Sequence, residues 1–232
     1  MPDQGQFGLG RIERETVQER VYCILRDKLM RGGFAPGQKL KIAELAHALG
    51  TSAMPVRDAL NRLAAERAVE SLPNRGVRVP ALSKDALEDL REARFAVEGL
   101  AVERAATHMS GETLAALRHL IDAQSATDAK RVAEGSAEQN RAFHFAIYRE
   151  SKSSVLLPII ESLWLQCGPY LRIASEMFDG REGRGTDFHV DIVDALARGD
   201  SMAARVALQS DIGRAFDLVI EHSIWHRFGG VA

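Results

Sequence analysis

Val17, Val21, Ile24, Leu25 and Leu29 recur three and four residues apart among polar neighbours, the spacing that turns one face of an α-helix inward. Gly32-Gly33 and Pro36-Gly37 end that helix. A second, short helix follows, with Ile42, Leu45, Ala46 and Leu49 as its apolar face and Gly50 supplying the backbone freedom for a sharp turn. A third starts near Ser52, which can cap it. Pro55 is tolerated in its first turn, where a missing N–H breaks no bond, and Val56, Leu60 and Leu63 face inward. Past Val69 the period changes from helix to strand, and Val77 and Val79 follow Pro73-Asn74-Arg75-Gly76, a hairpin with glycine at its tip. Helix, helix-turn-helix and hairpin in that order predict a winged helix-turn-helix.

The rest of the chain reads as helix throughout. The segments run roughly 83–108, 111–126, 129–150, 153–178, 186–198 and 200–226, with Ser83, Ser110 and Asp200 as N-caps and Pro158 in a first turn. Leu87, Leu90, Val97 and Leu100 recur at helical spacing, so these helices pack as a bundle around one core. The stretch 179–186, "DGREGRGT", is the obvious flexible loop. The expected protein is therefore mainly α: a flexible N-terminus at 1–12, a winged helix-turn-helix at 13–80 and an all-α helical bundle at 81–226.

Composition agrees with this and adds a polarity. At 232 residues, 46% hydrophobic and 27% charged, the chain suits one large or two modest domains. No window approaches the roughly 18 to 20 apolar residues of a membrane span, and the first thirty residues lack a secretory apolar core, which makes a cytoplasmic protein with no membrane partner the expectation. Cys23 and Cys167 lack CxxC spacing, so neither a disulfide framework nor a zinc ribbon is implied, and both are expected as buried thiols. Residues 11–80 carry 13 Lys/Arg and 8 Asp/Glu, net +5, whereas residues 81–232 carry 17 and 23, net −6. A small basic domain on an acidic one suits nucleic acid, because phosphate neutralisation supplies much of the affinity.

Candidate chemistry follows from the faces these helices leave open. With Val56, Leu60 and Leu63 inward, Arg57 and Asn61 lie one turn apart on the outer face of the third helix. There Arg57 could bind guanine O6/N7 bidentately or clamp a phosphate, with Arg75 and Arg78 on the wing reaching phosphates or the minor groove. An isolated arginine is usually only solvated; the turn glycine, capped helix, early proline and basic wing together make DNA the reading. In the second half, Asn140, His144 and Tyr148 share one helix face beside Phe143 and Ile147, and His189 and Asp211 lie on later helices. Converging, they would offer N/O donors to a divalent metal; apart, they are hydrogen-bonded helix residues, and sequence alone leaves both open.

Residues 36–79, "PGQKLKIAELAHALGTSAMPVRDALNRLAAERAVESLPNRGVRV", resemble the DNA-binding domain of the GntR family of bacterial transcription regulators. The resemblance puts Ser52, Arg57, Arg62 and Gly76 at DNA-contacting positions. It also exposes departures: Ala53 where the family usually has arginine, Met54 where threonine is common, and Arg67 where glycine commonly ends the recognition helix. Residues 85 to about 220 resemble the FCD effector domain of the FadR subfamily through "RFAVEGLA", "NRAFH" and "HVDIVDALARGD", while "SKSS" at 151–154 replaces the usual S-G-N. In many members four positions bind a metal through Asp, His, His and His; here they map to Asn140, His144, His189 and Asp211. A divalent metal (Zn, Ni or Mn) on an altered ligand set is implied. So is a small carboxylate effector, with Arg94 and Arg172 as its clamp and Tyr148 beside them.

What the resemblance implies is a regulator and not an enzyme. A homodimer would place two recognition helices in successive major grooves of a pseudo-palindromic double-stranded DNA operator, most often as a repressor released by its effector. Two other readings stand beside it. His144, His189 and Asp211 resemble the two-His, one-carboxylate site of a metal enzyme, although no general base or nucleophile has supporting spacing. The altered metal positions would also suit a DNA-binding protein with a vestigial pocket.

Overall fold

The computed structural model describes residues 16–72, 76–128, 133–177 and 186–221. The expected flexible segment 1–12, wing residue Arg75, most of the loop 179–186 and residues 222–226 lie outside these.

Helix α1 (Val17–Met30) is capped by Thr16, whose hydroxyl accepts from the Glu19 N–H at 3.2 Å, and it buries Val21, Tyr22, Leu25, Leu29 and Met30. Val17 and Ile24, expected inside, are 58% and 48% exposed. They sit about a third of a turn from the stripe centred on Leu25 and Leu29, near enough to keep the spacing but outside the contact. Cys23 is exposed on the same side, correcting the expectation of a buried thiol, while Cys167 is buried.

After β1 (Lys39–Leu40), α2 (Ile42–Ala48) turns at Gly50, whose φ of +64° is glycine's natural territory, into α3 (Ala53–Ala65). Val56, Leu60 and Leu63 are fully buried against α1, as their spacing requires. The wing is a three-stranded antiparallel sheet in the order β1-β3-β2, with β2 at Glu70–Leu72 and β3 at Gly76–Arg78. Val77 stands opposite both Leu40 and Ser71. Gly76, expected at the hairpin tip, instead opens β3 with φ +87°. The two-residue β1 is too short to announce itself by alternation.

The second half comprises α4 (Lys84–Ala105), α5 (Gly111–Asp128), α6 (Ala133–Glu150), α7 (Leu156–Met177), α8 (Asp187–Ala197) and α9 (Ser201–Glu221). The anticipated caps close with side-chain bonds: Ser83 accepts from the Ala86 N–H at 3.2 Å, Ser110 from Thr113 at 3.0 Å and Asp200 from Ala203 at 3.0 Å. Among the described residues two that are not glycine adopt left-handed backbone, Arg67 at φ +60° and Lys152 at φ +52°. Both stand where the resemblance expects glycine, so each carries a steric penalty of about 1 kcal/mol that glycine would avoid.

The two halves share a tight seam. Helix α1 packs on α7, and Gly168 makes this possible: a Cβ there would lie 2.3 Å from the Leu29 carbonyl oxygen and 2.9 Å from that of Met30. Just beyond α1, Gly32 (φ +65°) has no room either, since its Cβ would meet Arg172 Cβ at 2.5 Å. The connection into α4 is held as well. Tyr170 Oη accepts from the Leu82 N–H at 2.6 Å and donates to the Pro80 carbonyl at 3.3 Å. Ion pairs frame the contact: Arg26 with Glu161 on α7 at 2.9 Å, Arg31 with Glu138 on α6 at 3.2 Å, and Arg141 with Asp27 at 3.7 Å.

A recognition helix and a buried histidine–aspartate centre

On α3, Arg57 and Asn61 are exposed, and Arg57 makes no hydrogen bond or ion pair among the described residues. Its neighbours are engaged: Asp58 accepts from Gln18 at 3.3 Å, and Arg62 pairs with Glu19 at 2.9 Å while stacking over the Tyr22 ring at 3.5 Å. Arg62, expected as a DNA contact, thus also pins α3 to α1. Ser52 holds the N-cap position with extended backbone, but its hydroxyl makes no capping bond and is left exposed. On the wing Gly76 is exposed and Arg78 pairs with Glu70 across β2 and β3.

Inside the bundle the sequence-predicted residues do converge. His144 on α6, His189 on α8 and Asp211 on α9 are buried, and one ligand atom from each lies within 4.8 Å of the others. His144 Nε2 is 3.1 Å from Asp211 Oδ2, and His189 Nε2 is 3.6 Å from Asp211 Oδ1, beyond hydrogen-bond reach. Both His189 ring nitrogens are buried without a hydrogen-bond partner among the described residues. Phe143 stacks on the His189 ring at 4.1 Å and fixes its plane. Asn140 lines the adjoining pocket one turn before His144.

Burial holds the His144 imidazole below its ordinary pKa, with Asp211 opposing only in part. Asp211 is buried too, yet the two imidazoles keep its carboxyl well below the usual carboxylate range. A neutral His144 imidazole beside an ionised Asp211 carboxylate has the protonation state a metal needs. Around a Zn-sized ion with bonds of about 2.1 Å, ligand atoms stand about 3.0–3.5 Å apart, close to the 3.1 Å between His144 and Asp211 and the 3.6 Å between His189 and Asp211. With the orphaned His189 nitrogens, this donor set fits a divalent ion.

Next to the centre lies a second polar layer that the sequence reading assigned differently. Arg94, expected as a carboxylate clamp, does line the pocket, but its guanidinium is fully buried and turned onto Glu98, with bonds of 2.5 and 3.0 Å. A buried guanidinium needs a compensating charge, and Glu98 supplies it from one turn away. Tyr148 donates to the same carboxylate and touches His144 Nδ1 at 3.1 Å, so it orients the centre rather than standing open to a ligand. Arg172 lies outside the described pocket lining and pairs with Glu176 at 2.9 Å.

The reading by residue type also missed partners. Arg214 bonds Asp211 at 3.1 Å and lines the pocket. Trp164 carries Arg94 over its ring at 4.7 Å, and Met30 brings α1 into the wall. Glu98 and Arg214 were signalled by i,i+4 and i,i+3 spacing to Arg94 and Asp211; nothing local signalled Met30.

A winged recognition helix joined to a bundle with a buried polar pocket defines a DNA-binding regulator with a ligand-sensing domain. Comparison with known proteins makes this specific. Residues 17–79 match the bacterial regulatory proteins of the gntR family and residues 89–214 match the FCD domain. The chain belongs to the GntR family of transcription regulators, in its FCD-bearing branch, whose members are regulators and not enzymes.

It is 32% identical over 177 residues to the HTH-type transcriptional regulator McbR of Escherichia coli K12, covering 76% of this chain and 80% of that one. It is 31% identical to a probable D-xylose utilization operon repressor of Paenarthrobacter nicotinovorans, covering 85% and 86%. The solved structure of E. coli McbR/YncC superposes with a TM-score of 0.83 at 28% identity, over 90% of this chain and 99% of that one. No helix among the described residues is long and apolar enough to cross a membrane.

Proposed function

We propose that this regulator is a homodimeric repressor, with a recognition domain at 13–80 and an effector domain at 81–226, that releases a pseudo-palindromic operator when a small carboxylate binds beside a divalent metal. Arg57 and Asn61 read base edges in the major groove, Ser52 and Arg62 contact phosphates, and Arg75, Gly76 and Arg78 lay the wing along the backbone. His144, His189, Asp211 and Asn140 hold the metal, which supplies positive charge for an anionic ligand in a pocket whose own charged side chains largely pair among themselves. Arg94 and Glu98 act through Tyr148, which holds His144 in orientation.

The observation that carries this function is that Met30, the last residue of α1 in the recognition domain, lines the same pocket as His144 and Asp211. A ligand there touches both domains, so its affinity depends on their relative placement; a difference of about 1–3 kcal/mol between placements suffices for a switch.

Capture of sheared genomic DNA by the purified protein, beside an Arg57→Ala control, tests the DNA half. A short pseudo-palindrome enriched by the wild type and lost in the variant is the expected outcome; equal enrichment by both would remove Arg57 from base reading. Calorimetry of Zn, Ni and Mn against the wild type and His189→Ala tests the centre, with tight binding only in the wild type expected.

A further inference from the structure

The outer face of α3 carries a large apolar side chain that the fold does not use. Met54 is 62% exposed and belongs neither to the core nor to the residues packed on it, whereas Val56, Leu60 and Leu63 are fully buried on the other side of the helix. Met54, Arg57 and Asn61 are spaced by three and four residues, which puts them within about 60° of one another around the helix axis, and all three are exposed. The charged residues flanking this stripe are drawn to α1: Asp58 accepts from Gln18 at 3.3 Å, and Arg62 pairs with Glu19 at 2.9 Å. The first turn of α3, Ala53-Met54-Pro55, holds no side-chain hydrogen-bond donor.

We propose that Met54 contacts the 5-methyl group of a thymine in the major groove and so fixes one base of each operator half-site. This rests on the DNA function above and adds a base preference that hydrogen bonding does not supply. In a docked helix-turn-helix the N-terminal residues of the recognition helix face base edges, so Met54 loses its water there together with Arg57. A thioether has no donor for the N7 and oxygen acceptors of the groove, and phosphates offer it no apolar surface. Among the groups that distinguish base pairs in the major groove, only the thymine methyl is apolar. Cytosine lacks that methyl and presents an N4 amino group instead, which a weakly accepting sulfur leaves unsatisfied. Methionine is also unbranched and adaptable, so its end can close on a methyl group while Arg57 holds the helix in place. Arg57 then reads by hydrogen bonding and Met54 by apolar burial, one turn apart on one face.

The test starts from random-sequence duplexes selected by the full-length protein. At the selected positions it then compares thymine with deoxyuracil, which lacks only the methyl group. Each half-site should contain a fixed thymine whose replacement by uracil weakens binding about fourfold, and about sixteenfold when made in both half-sites. Met54→Ala changes an exposed side chain and leaves the core of α3 untouched; it should bind the thymine and uracil duplexes alike. A selected site with no fixed thymine, uracil that binds as well as thymine at every fixed position, or a thymine preference that persists in Met54→Ala would overturn the methyl contact while leaving operator recognition standing. A selection that enriches no sequence would overturn the contact and the DNA reading together.

Discussion

Gly168→Ala separates two effects of opposite sign. Gly168 lies inside a 22-residue helix, where alanine is preferred over glycine by about 1 kcal/mol on propensity alone. Against this, the new Cβ would stand 2.3 Å from the Leu29 carbonyl oxygen and 2.9 Å from that of Met30, and neither is the tip of a movable side chain. Relief requires α1 to back away from α7, and overpacking of this kind costs about 1–3 kcal/mol or more. The expected net loss is therefore about 0–2 kcal/mol, a fall in Tm of up to roughly 8 °C for a chain of this size, whereas propensity alone would raise it. Gly213→Ala is the internal control. It too sits within a helix, but its Cβ would meet only Phe95 Cζ at 3.6 Å, an ordinary contact, so it should gain up to about 1 kcal/mol. Urea and thermal unfolding of both variants decide the matter. If Gly168→Ala stabilises as much as Gly213→Ala, the α1–α7 seam is not closed in solution and the steric reasoning is refuted.

Other consequences can be measured on the same preparations. Glu98→Ala leaves the Arg94 guanidinium buried without its counter-charge and should cost about 3–5 kcal/mol in urea unfolding; a loss below 1 kcal/mol would mean that solvent reaches Arg94. Arg67→Gly and Lys152→Gly should each raise stability by about 1 kcal/mol by removing left-handed strain, and a fall in Tm for either would contradict the backbone described. Burial pushes the Cys167 thiol up to about 11, and Cys23 is exposed; one thiol should react with Ellman's reagent in the native protein and two in denaturant. The depressed His144 pKa means that the unfolded chain takes up this proton first. Stability of the chelated protein should thus be full above about pH 6.5 and fall as pH drops below it, and His144→Gln should flatten that slope; identical profiles would show that His144 titrates alike in both states.

Local chemistry was legible in the sequence because local chemistry is what sequence writes. Ser83, Ser110 and Asp200 cap helices through bonds three residues long, and the inward stripe of α3 is a matter of spacing. His144, His189 and Asp211 stood out as polar residues on helix faces, but only the resemblance joined them in one site, since no periodicity tells which faces of three separate helices meet. Arg94 shows the limit most clearly. Its i,i+4 relation to Glu98 is plain in "RFAVEGLA", but whether such a pair is a solvated surface contact or a buried compensated charge depends on Trp164 and Phe216 closing over it, and those arrive from α7 and α9. Val17 and Ile24 fail for a related reason: a stripe wide enough to be read is wider than the surface the neighbouring helices cover.

The charge boundary near residue 80 is not a packing boundary, and the difference bears on how such a regulator could work. Charge follows what each half meets, phosphates on one side and solvent on the other, whereas packing follows the seam between α1 and α7. At that seam backbone lies on backbone through Gly168, with no side chain between to absorb a displacement. Close-packed interiors transmit strain instead of absorbing it. A ligand that displaces Met30 thus moves α1 as a body, and α1 carries α3 with it through the Arg62–Glu19 pair, the stack on Tyr22 and the Tyr22 hydroxyl on Glu66. Cutting the chain at residue 80 would remove one wall of the pocket and uncover α7 at Gly168. The sensing domain is in this sense incomplete without the recognition domain it acts on.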